Sequence, residues 1–118
     1  MMTIVYASRT GNVQKLMDKL QVRDAVKLET GTEAVTGDYI LITYTDGAGI
    51  VPPVVEKFLE RSADGCKGVA VSGNMERHAD TFCWAADIIH DKYGIPVIAK
   101  FEKDSDDTVI AAICAALN

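Results

Sequence analysis

The sequence lacks any apolar run long enough to cross a membrane, although 48% of its residues are hydrophobic. A membrane-spanning helix needs roughly 18 or more consecutive apolar residues, so we expect a protein without membrane-spanning segments. The N-terminal residues also lack the basic region, apolar segment and cleavage site that mark a secretory signal. We therefore expect the protein to reside in the cytoplasm.

Cysteines are few, and basic residues are outnumbered by acidic ones. The three cysteines, Cys66, Cys83 and Cys114, lie far apart and form no C-x-x-C pair, which argues against a zinc site or a dithiol centre. We expect all three thiols to be reduced, with Cys83 and Cys114 packed as small apolar groups on helices. The net charge of −5 argues against nucleic-acid binding, which needs a basic surface to contact phosphates.

No linker, repeat or low-complexity tract divides the chain, and we expect one domain over residues 1–118. Continuous apolar runs predict strands at residues 4–7, 25–28, 39–44, 69–72 and 97–99. Apolar residues three and four positions apart predict helices at 13–20, after Pro52, at 82–93 ending at Gly94, and at 109–117. Residues 29–38 show no helical pattern. The alternation predicts an α/β fold whose parallel sheet carries helices on both faces.

The turn after the first predicted strand, Ser8-Arg9-Thr10-Gly11-Asn12, leads directly into a helix at Val13. Free backbone amides and the positive end of a helix dipole bind anions at such a turn. A phosphate monoester fits better than a nucleoside triphosphate, because the G-x-x-x-x-G-K-[ST] loop is absent. Taken alone, an ordinary helix-capping turn explains these residues equally well.

Two further loops follow the third and fourth predicted strands. The first contains Thr43, Tyr44, Thr45, Asp46, Gly47, Ala48 and Gly49, and it lacks the third glycine of a dinucleotide fingerprint. Its amides can lie against a flat heterocycle with Tyr44 over one ring face, and a surface turn is the alternative. The second begins at Ser72, Gly73 and Asn74 and should form the opposite wall, because ligands bind at the carboxyl ends of parallel strands. In it, His78 is either a proton donor near a cofactor or a solvated side chain, and we expect His90 on the surface.

Together with Phe82-Cys83, these segments resemble the NrdI family of small flavodoxin-like proteins. The resemblance covers almost the whole chain, and the T-Y-T-D-G-A-G-I-V-P stretch at 43–52 is its most specific motif. It implies a flavodoxin-like three-layer sandwich with a five-stranded parallel sheet in the order 2-1-3-4-5. It also implies FMN as the cofactor. The cofactor-binding residues carried over by position are Ser8, Arg9, Thr10, Gly11, Asn12 and Val13 near the phosphate, Thr43 to Gly49 at the isoalloxazine, Ser72, Gly73 and Asn74 at the ring edge, and His78, Phe82 and Cys83 beside them.

Members of that family activate the small subunit of class Ib ribonucleotide reductase. Reduced flavin and dioxygen supply an oxidant, regarded as superoxide, to a dimanganese site that belongs to the partner. The resemblance therefore implies this subunit as the partner, with a flavodoxin or ferredoxin reductase or a glutaredoxin-like protein as candidate electron donors. One departure is Met75-Glu76-Arg77-His78-Ala79, which replaces the family's Arg-Asn, aromatic residue and Gly.

Two other functions suit the same fold. A general flavodoxin-type electron carrier is the first alternative, and the short chain with its 43–52 motif argues against it. A non-redox receiver or phosphotransfer module is the second. A receiver needs paired acidic residues after the first strand and a cysteine phosphocarrier needs a cysteine there, whereas Ser8-Arg9-Thr10 supplies neither.

Overall fold

The computed structural model describes residues 2–8, 12–21, 25–35, 37–45, 50–73, 83–102 and 107–117. Strands and helices alternate there in the order β1 (Thr3–Tyr6), α1 (Asn12–Leu20), β2 (Ala25–Lys27), β3 (Tyr39–Tyr44), α2 (Pro53–Ser62), β4 (Cys66–Gly73), α3 (Trp84–Tyr93), β5 (Val97–Glu102) and α4 (Asp107–Leu117), with a 3-10 turn at Ala63–Gly65 before β4. The five strands form one parallel sheet in the order β2-β1-β3-β4-β5. The predicted fold class is therefore confirmed.

The sheet separates two apolar layers. Helices α2 and α3 cover one face, where Phe58 and Ile89 are fully buried, and α1 and α4 cover the other, where Leu16 and Ile113 are fully buried. The first five residues of β3 are buried, because this strand has a neighbour on each side and helices above and below. Among the described residues, no helix is long and apolar enough to span a membrane.

The ends of several elements differ from the predictions. β4 begins at Cys66 rather than residue 69, and β5 continues to Glu102 rather than ending at 99. Lys67 and Lys100 interrupt the apolar runs at these places, but each is exposed and lies near a carboxylate. A strand side chain that points to solvent can be charged, so the apolar runs mark only part of β4 and β5. Helix α2 begins at Pro53, with Pro52 as its N-cap residue.

The described residues between β2 and β3 form no helix, as predicted, and Glu33 organises them instead. Its carboxylate accepts hydrogen bonds from the backbone N–H groups of Glu29, Thr30 and Gly31, at 2.9, 3.1 and 2.9 Å. Burial raises the pKa of the Glu33 carboxyl, but the backbone hydrogen bonds outweigh this effect and lower the pKa to about 2. We refer to residues 29–33 as the Glu33 turn.

The Glu33 turn is attached to α2. Arg61 donates hydrogen bonds to the carbonyl oxygens of Gly31 at 2.9 Å and Glu33 at 3.2 Å. Gly31 has a φ of +84°, and a Cβ placed on it would lie 2.8 Å from the carbonyl oxygen of Val54. Glycine is therefore required where the turn meets the first turn of α2.

The cysteine and histidine predictions were partly right. None of the three cysteines, all within the described residues, forms a disulfide. Cys83 is buried immediately before α3 rather than within it, whereas Cys114 is exposed on α4. The predicted packing of Cys114 is therefore wrong, because it follows buried Ile113 and one residue turns a helix by about 100°. His90 is exposed, and Gly94 ends α3 with a φ of 72°, as predicted.

Candidate functional site

The carboxyl ends of β1, β3 and β4 meet at one edge of the sheet. The N–H of Ala7 donates to the carbonyl oxygen of Ile42 at 3.0 Å, and the N–H of Thr45 donates to that of Ser72 at 2.9 Å. These bonds extend the strand pairing past the ends of β1 and β3. The strands that precede the three predicted turns therefore end side by side, at the edge where ligands bind in parallel α/β folds.

The first turn begins at Ser8, which is partly exposed, and it leads to α1 at Asn12. The first backbone N–H groups of a helix have no partner within it and carry partial positive charge, so the edge is suited to an anion. Val13 is buried in the apolar layer that α1 forms with α4, and this packing anchors the first turn of the helix. The predicted residues Arg9, Thr10 and Gly11 lie outside the described residues.

Thr45, just after β3, offers a buried polar group to a ligand. Its hydroxyl oxygen is buried and has no hydrogen-bond partner within the described part of the chain. The hydroxyl of the neighbouring Thr43, also buried, donates to the carbonyl oxygen of Tyr44 at 3.2 Å. An unpaired buried hydroxyl costs about 1–3 kcal/mol, and a polar group of a bound ligand can supply a partner. Asp46, Gly47, Ala48 and Gly49 lie outside the described residues.

A cavity of about 310 Å³ opens at the same edge, on the side of α2. Its lining residues are Ala7, Ser8, Lys27, Leu28, Glu29, Tyr44 and Val54. Sequence reasoning missed the three residues at the end of β2. The strand order could have indicated these residues, because the order 2-1-3 brings the carboxyl end of the second strand beside that of the first. The Glu33 turn begins at Glu29 and so forms part of this wall.

The third predicted wall starts at the end of β4. Ser72 is 3% exposed and Gly73 is partly exposed. Cys83, which follows this loop, is fully buried, and its thiol donates to the carbonyl oxygen of Val71 at 3.2 Å. Asn74, His78 and Phe82 lie outside the described residues.

Two large apolar side chains that follow these loops in sequence project into solvent. Ile50, shortly before α2, is 57% exposed, and Trp84, the first residue of α3, is 51% exposed. The two helices pack on the same face of the sheet and are joined by an ion pair between Glu56 and Lys92. Sequence reasoning missed both residues, because each stands in a run of apolar residues that resembles a buried helix start.

The described residues contain no group of three or more His, Cys, Asp or Glu that could hold a metal ion. At the ends of β1 and β3 their polar groups include the hydroxyls of Ser8 and Thr45 and the backbone amides at the start of α1, while Lys27 and Glu29 lie at the end of β2. Donors of this kind bind phosphate and the polar edge of a heterocycle. The residues present therefore fit a phosphorylated planar cofactor.

Comparison with known proteins gives consistent results. The family described as NrdI Flavodoxin like matches residues 4–113. Protein NrdI of Bacillus licheniformis is 43% identical over 102 residues, covering 86% of this chain and 76% of that protein. Protein NrdI of Macrococcus caseolyticus is 35% identical over 106 residues, covering 90% of this chain and 81% of that protein.

Two other matches extend these results. Protein NrdI of a Ruegeria species is 37% identical over 123 aligned positions, covering 97% of this chain and 86% of that protein. A solved structure, described as a short-chain flavodoxin associated with a non-canonical PDU bacterial microcompartment, is 21% identical. It superposes with a TM-score of 0.63 and covers 99% of this chain and 95% of that one, which supports the flavodoxin-like fold.

The family match runs from β1 into α4 and so includes all three turns at the sheet edge. The protein is accordingly a redox protein of the flavodoxin type, for which the family implies a flavin cofactor. The chain belongs to the NrdI flavodoxin-like family.

Proposed function

We propose that the protein binds FMN and uses its reduced form to activate the small subunit of a class Ib ribonucleotide reductase. The observation that carries the proposal is the buried hydroxyl of Thr45, which has no hydrogen-bond partner among the described residues and lies at the edge where β1, β3 and β4 end. A ligand with both a phosphate and a polar ring edge satisfies this hydroxyl and the start of α1 together. The 43% identity to a protein named NrdI supports FMN as that ligand.

In this proposal each turn holds one part of the cofactor. Ser8, Arg9, Thr10, Gly11 and Asn12 bind the phosphate with the backbone amide of Val13. Thr43 to Gly49 lie along the ring, with the Thr45 hydroxyl bonded to its polar edge. Ser72, Gly73 and Asn74 border the ring from the β4 side, and His78 and Phe82 lie nearby.

The flavin, when bound and reduced, supplies one electron to dioxygen and so yields superoxide. The protein's residues hold the ring at the sheet edge, where the small side chains at 47–49 leave it accessible to dioxygen. The exposed side chains of Ile50 and Trp84 supply apolar area for the partner subunit, which holds the dimanganese site. Tryptophan is over-represented among the residues that contribute most binding energy at protein interfaces.

The cofactor proposal is tested by titrating the flavin-free protein with FMN and with riboflavin, using quenching of flavin fluorescence. We expect FMN to bind at least about tenfold more tightly than riboflavin, because only FMN offers a phosphate to residues 8–13. Equal affinities would contradict the phosphate assignment. Absence of binding by either ligand would contradict the flavin site itself.

The partner proposal needs a second experiment. The reduced protein is mixed with dioxygen and a manganese-loaded class Ib small subunit, and reductase activity is measured after adding the large subunit. We expect activity to require the protein, its reduction and dioxygen together. If an unrelated flavodoxin activates the subunit equally well, the alternative of a general electron carrier is favoured.

A further inference from the structure

Cys83 adopts a backbone conformation that cysteine rarely takes. Its φ of 52° and ψ of 30° lie in the left-handed region, at the N-cap position of α3. Glycine or asparagine takes this conformation with less strain. The other described non-glycine residue with positive φ is Gln21, an exposed residue directly after α1, where such a conformation is common. Strain that persists at Cys83 indicates that the side chain has a role.

The thiol of Cys83 connects two strands beneath the candidate site. The residue is fully buried, and its Sγ donates to the carbonyl oxygen of Val71 in β4 at 3.2 Å. It also lies 3.8 Å from the carbonyl oxygen of Phe101 in β5. The buried thiol of Cys66 differs, because it donates to Gly68 two residues away in its own strand. The Cys83 contact instead ties the start of α3 to the sheet edge.

A short path leads from this thiol to the unpartnered hydroxyl. The Val71 carbonyl belongs to the same peptide unit as the N–H of Ser72, so a hydrogen bond to the carbonyl restrains both. The Ser72 carbonyl oxygen in turn accepts the N–H of Thr45 at 2.9 Å. Thr45 carries the buried hydroxyl that has no partner in the described residues. The thiol, Ser72 and Thr45 therefore form one connected set.

We propose that Cys83 is a positioning residue of the flavin site, whose thiol holds the Val71–Ser72 peptide, and through it Thr45, in place against the ring. It acts from beneath the site and does not contact the flavin. This inference rests on the proposed function, because it takes Thr45 as a group that bonds the flavin. It predicts that loss of the thiol weakens flavin binding and loosens the segment that joins Ser72 to Thr45.

The test compares Cys83→Ala, Cys83→Gly and Cys83→Ser in the full chain. Alanine removes the donor and keeps the strained conformation, glycine removes the donor and relieves the strain, and serine keeps a donor. We expect the alanine and glycine variants to bind FMN roughly five to tenfold more weakly and to shift its midpoint potential. The serine variant should recover much of the affinity. Thermal unfolding should show glycine at least as stable as alanine.

A second measurement does not depend on flavin. Amide hydrogen exchange of Thr45 and Ser72 is followed in the flavin-free proteins, and we expect it to be faster in the alanine and glycine variants than in the serine variant. Cys114→Ala, at the exposed cysteine of α4, is the matched control and should change neither exchange nor binding.

The outcomes separate this inference from the proposed function. Wild-type FMN affinity, potential and exchange in Cys83→Ala would overturn the positioning role. So would a binding defect in Cys83→Ala that disappears in Cys83→Gly, because backbone strain alone would then explain it. If exchange responds as expected but no form of the protein binds FMN, the proposed function fails and the role toward flavin fails with it, while the link from Cys83 to Thr45 stands.

Discussion

Thr45 donates its backbone N–H to the carbonyl oxygen of Ser72 at 2.9 Å, so the loops that follow β3 and β4 start from a shared hydrogen bond. The side-chain hydroxyl of Thr45 is buried beside this bond and has no partner within the described residues. A residue whose backbone is fixed while its hydroxyl is unpaired is prepared for a ligand at low cost in conformational entropy.

Thr45→Val should have opposite effects on folding and on binding. Removing an unpaired buried hydroxyl should stabilise the flavin-free protein by about 1 kcal/mol, while the lost hydrogen bond should weaken FMN binding roughly three to tenfold. Urea unfolding of the flavin-free protein and fluorescence titration with FMN measure the two effects.

Thr45→Ser is the matched control, because it keeps the hydroxyl and should bind FMN nearly as well as the wild type. If valine left the affinity for FMN unchanged, the hydroxyl would have no role in holding the ring.

Glu33→Gln should reduce stability in a pH-dependent way. The pKa of Glu33 is lowered from its ordinary value of 4.5 to about 2 in the folded protein, so its ionised form stabilises the fold above about pH 4.5. That contribution is lost as the pH falls from about 4.5 toward 2. We expect the variant to be less stable by about 1–2 kcal/mol at pH 7, after allowing for solvent screening of this partly exposed group.

Unfolding by urea at several pH values tests this expectation, and the curves for wild type and variant should converge near pH 2. Glu60→Gln, at an exposed position on α2, is the control and should follow the wild type throughout. A constant gap between the two curves from pH 7 to pH 2 would show that ionisation of Glu33 is not the cause.

Gly31→Ala should be more damaging than Gly37→Ala, although both glycines have positive φ, of +84° and +80°. A Cβ at Gly31 would lie 2.8 Å from the carbonyl oxygen of Val54, whereas no atom of the described residues lies within 4 Å of a Cβ at Gly37. We expect about 1 kcal/mol of destabilisation at Gly37, from backbone strain alone, and about 2–4 kcal/mol at Gly31. Chemical denaturation measures the free energy of unfolding of the two variants. Equal losses of stability would mean that α2 shifts to accommodate the added Cβ without cost.

Trp84→Ala should weaken binding to the reductase small subunit without affecting FMN binding. The side chain is 51% exposed at the start of α3, and exposed tryptophans often contribute much of the energy of an interface. We expect at least about a tenfold loss of affinity, measured by calorimetry with the FMN-loaded protein. Trp84→Phe, which keeps an aromatic ring, should retain part of the affinity for the small subunit. An unchanged affinity in the alanine variant would place the interface elsewhere.

The sheet could be predicted from sequence because the burial of its central strand is visible as an apolar run in the local sequence. Residues 39–44 are nearly all apolar and nearly all buried. A strand that is buried on both faces has a nearly continuous apolar sequence rather than an alternating one. The strand ends could not be predicted so well, since Lys67 and Lys100 reach Asp38 and Asp87, at 3.9 and 3.1 Å. Ion pairs of this kind cannot be inferred from the sequence, because the partners come together only in the folded structure.

In the site, too, some features follow from local sequence and others depend on contacts between distant residues. The three turns could be selected because each follows a predicted strand, and strand order then places them at one edge. The Glu33 turn depends on a hydrogen bond from Arg61 to Gly31, thirty residues away in sequence. No local sequence pattern predicts a bond between residues so far apart. The left-handed conformation of Cys83 also could not be predicted, because cysteine has no preference for that region.

The position of Trp84 also offers a practical advantage. It is the single tryptophan of the chain, and it stands at the start of the helix that follows the third wall of the site. Indole emission overlaps the absorption of oxidised isoalloxazine, so a nearby bound flavin would quench it by resonance energy transfer. The chain thus carries an intrinsic optical probe through which cofactor loading can be followed in unlabelled protein.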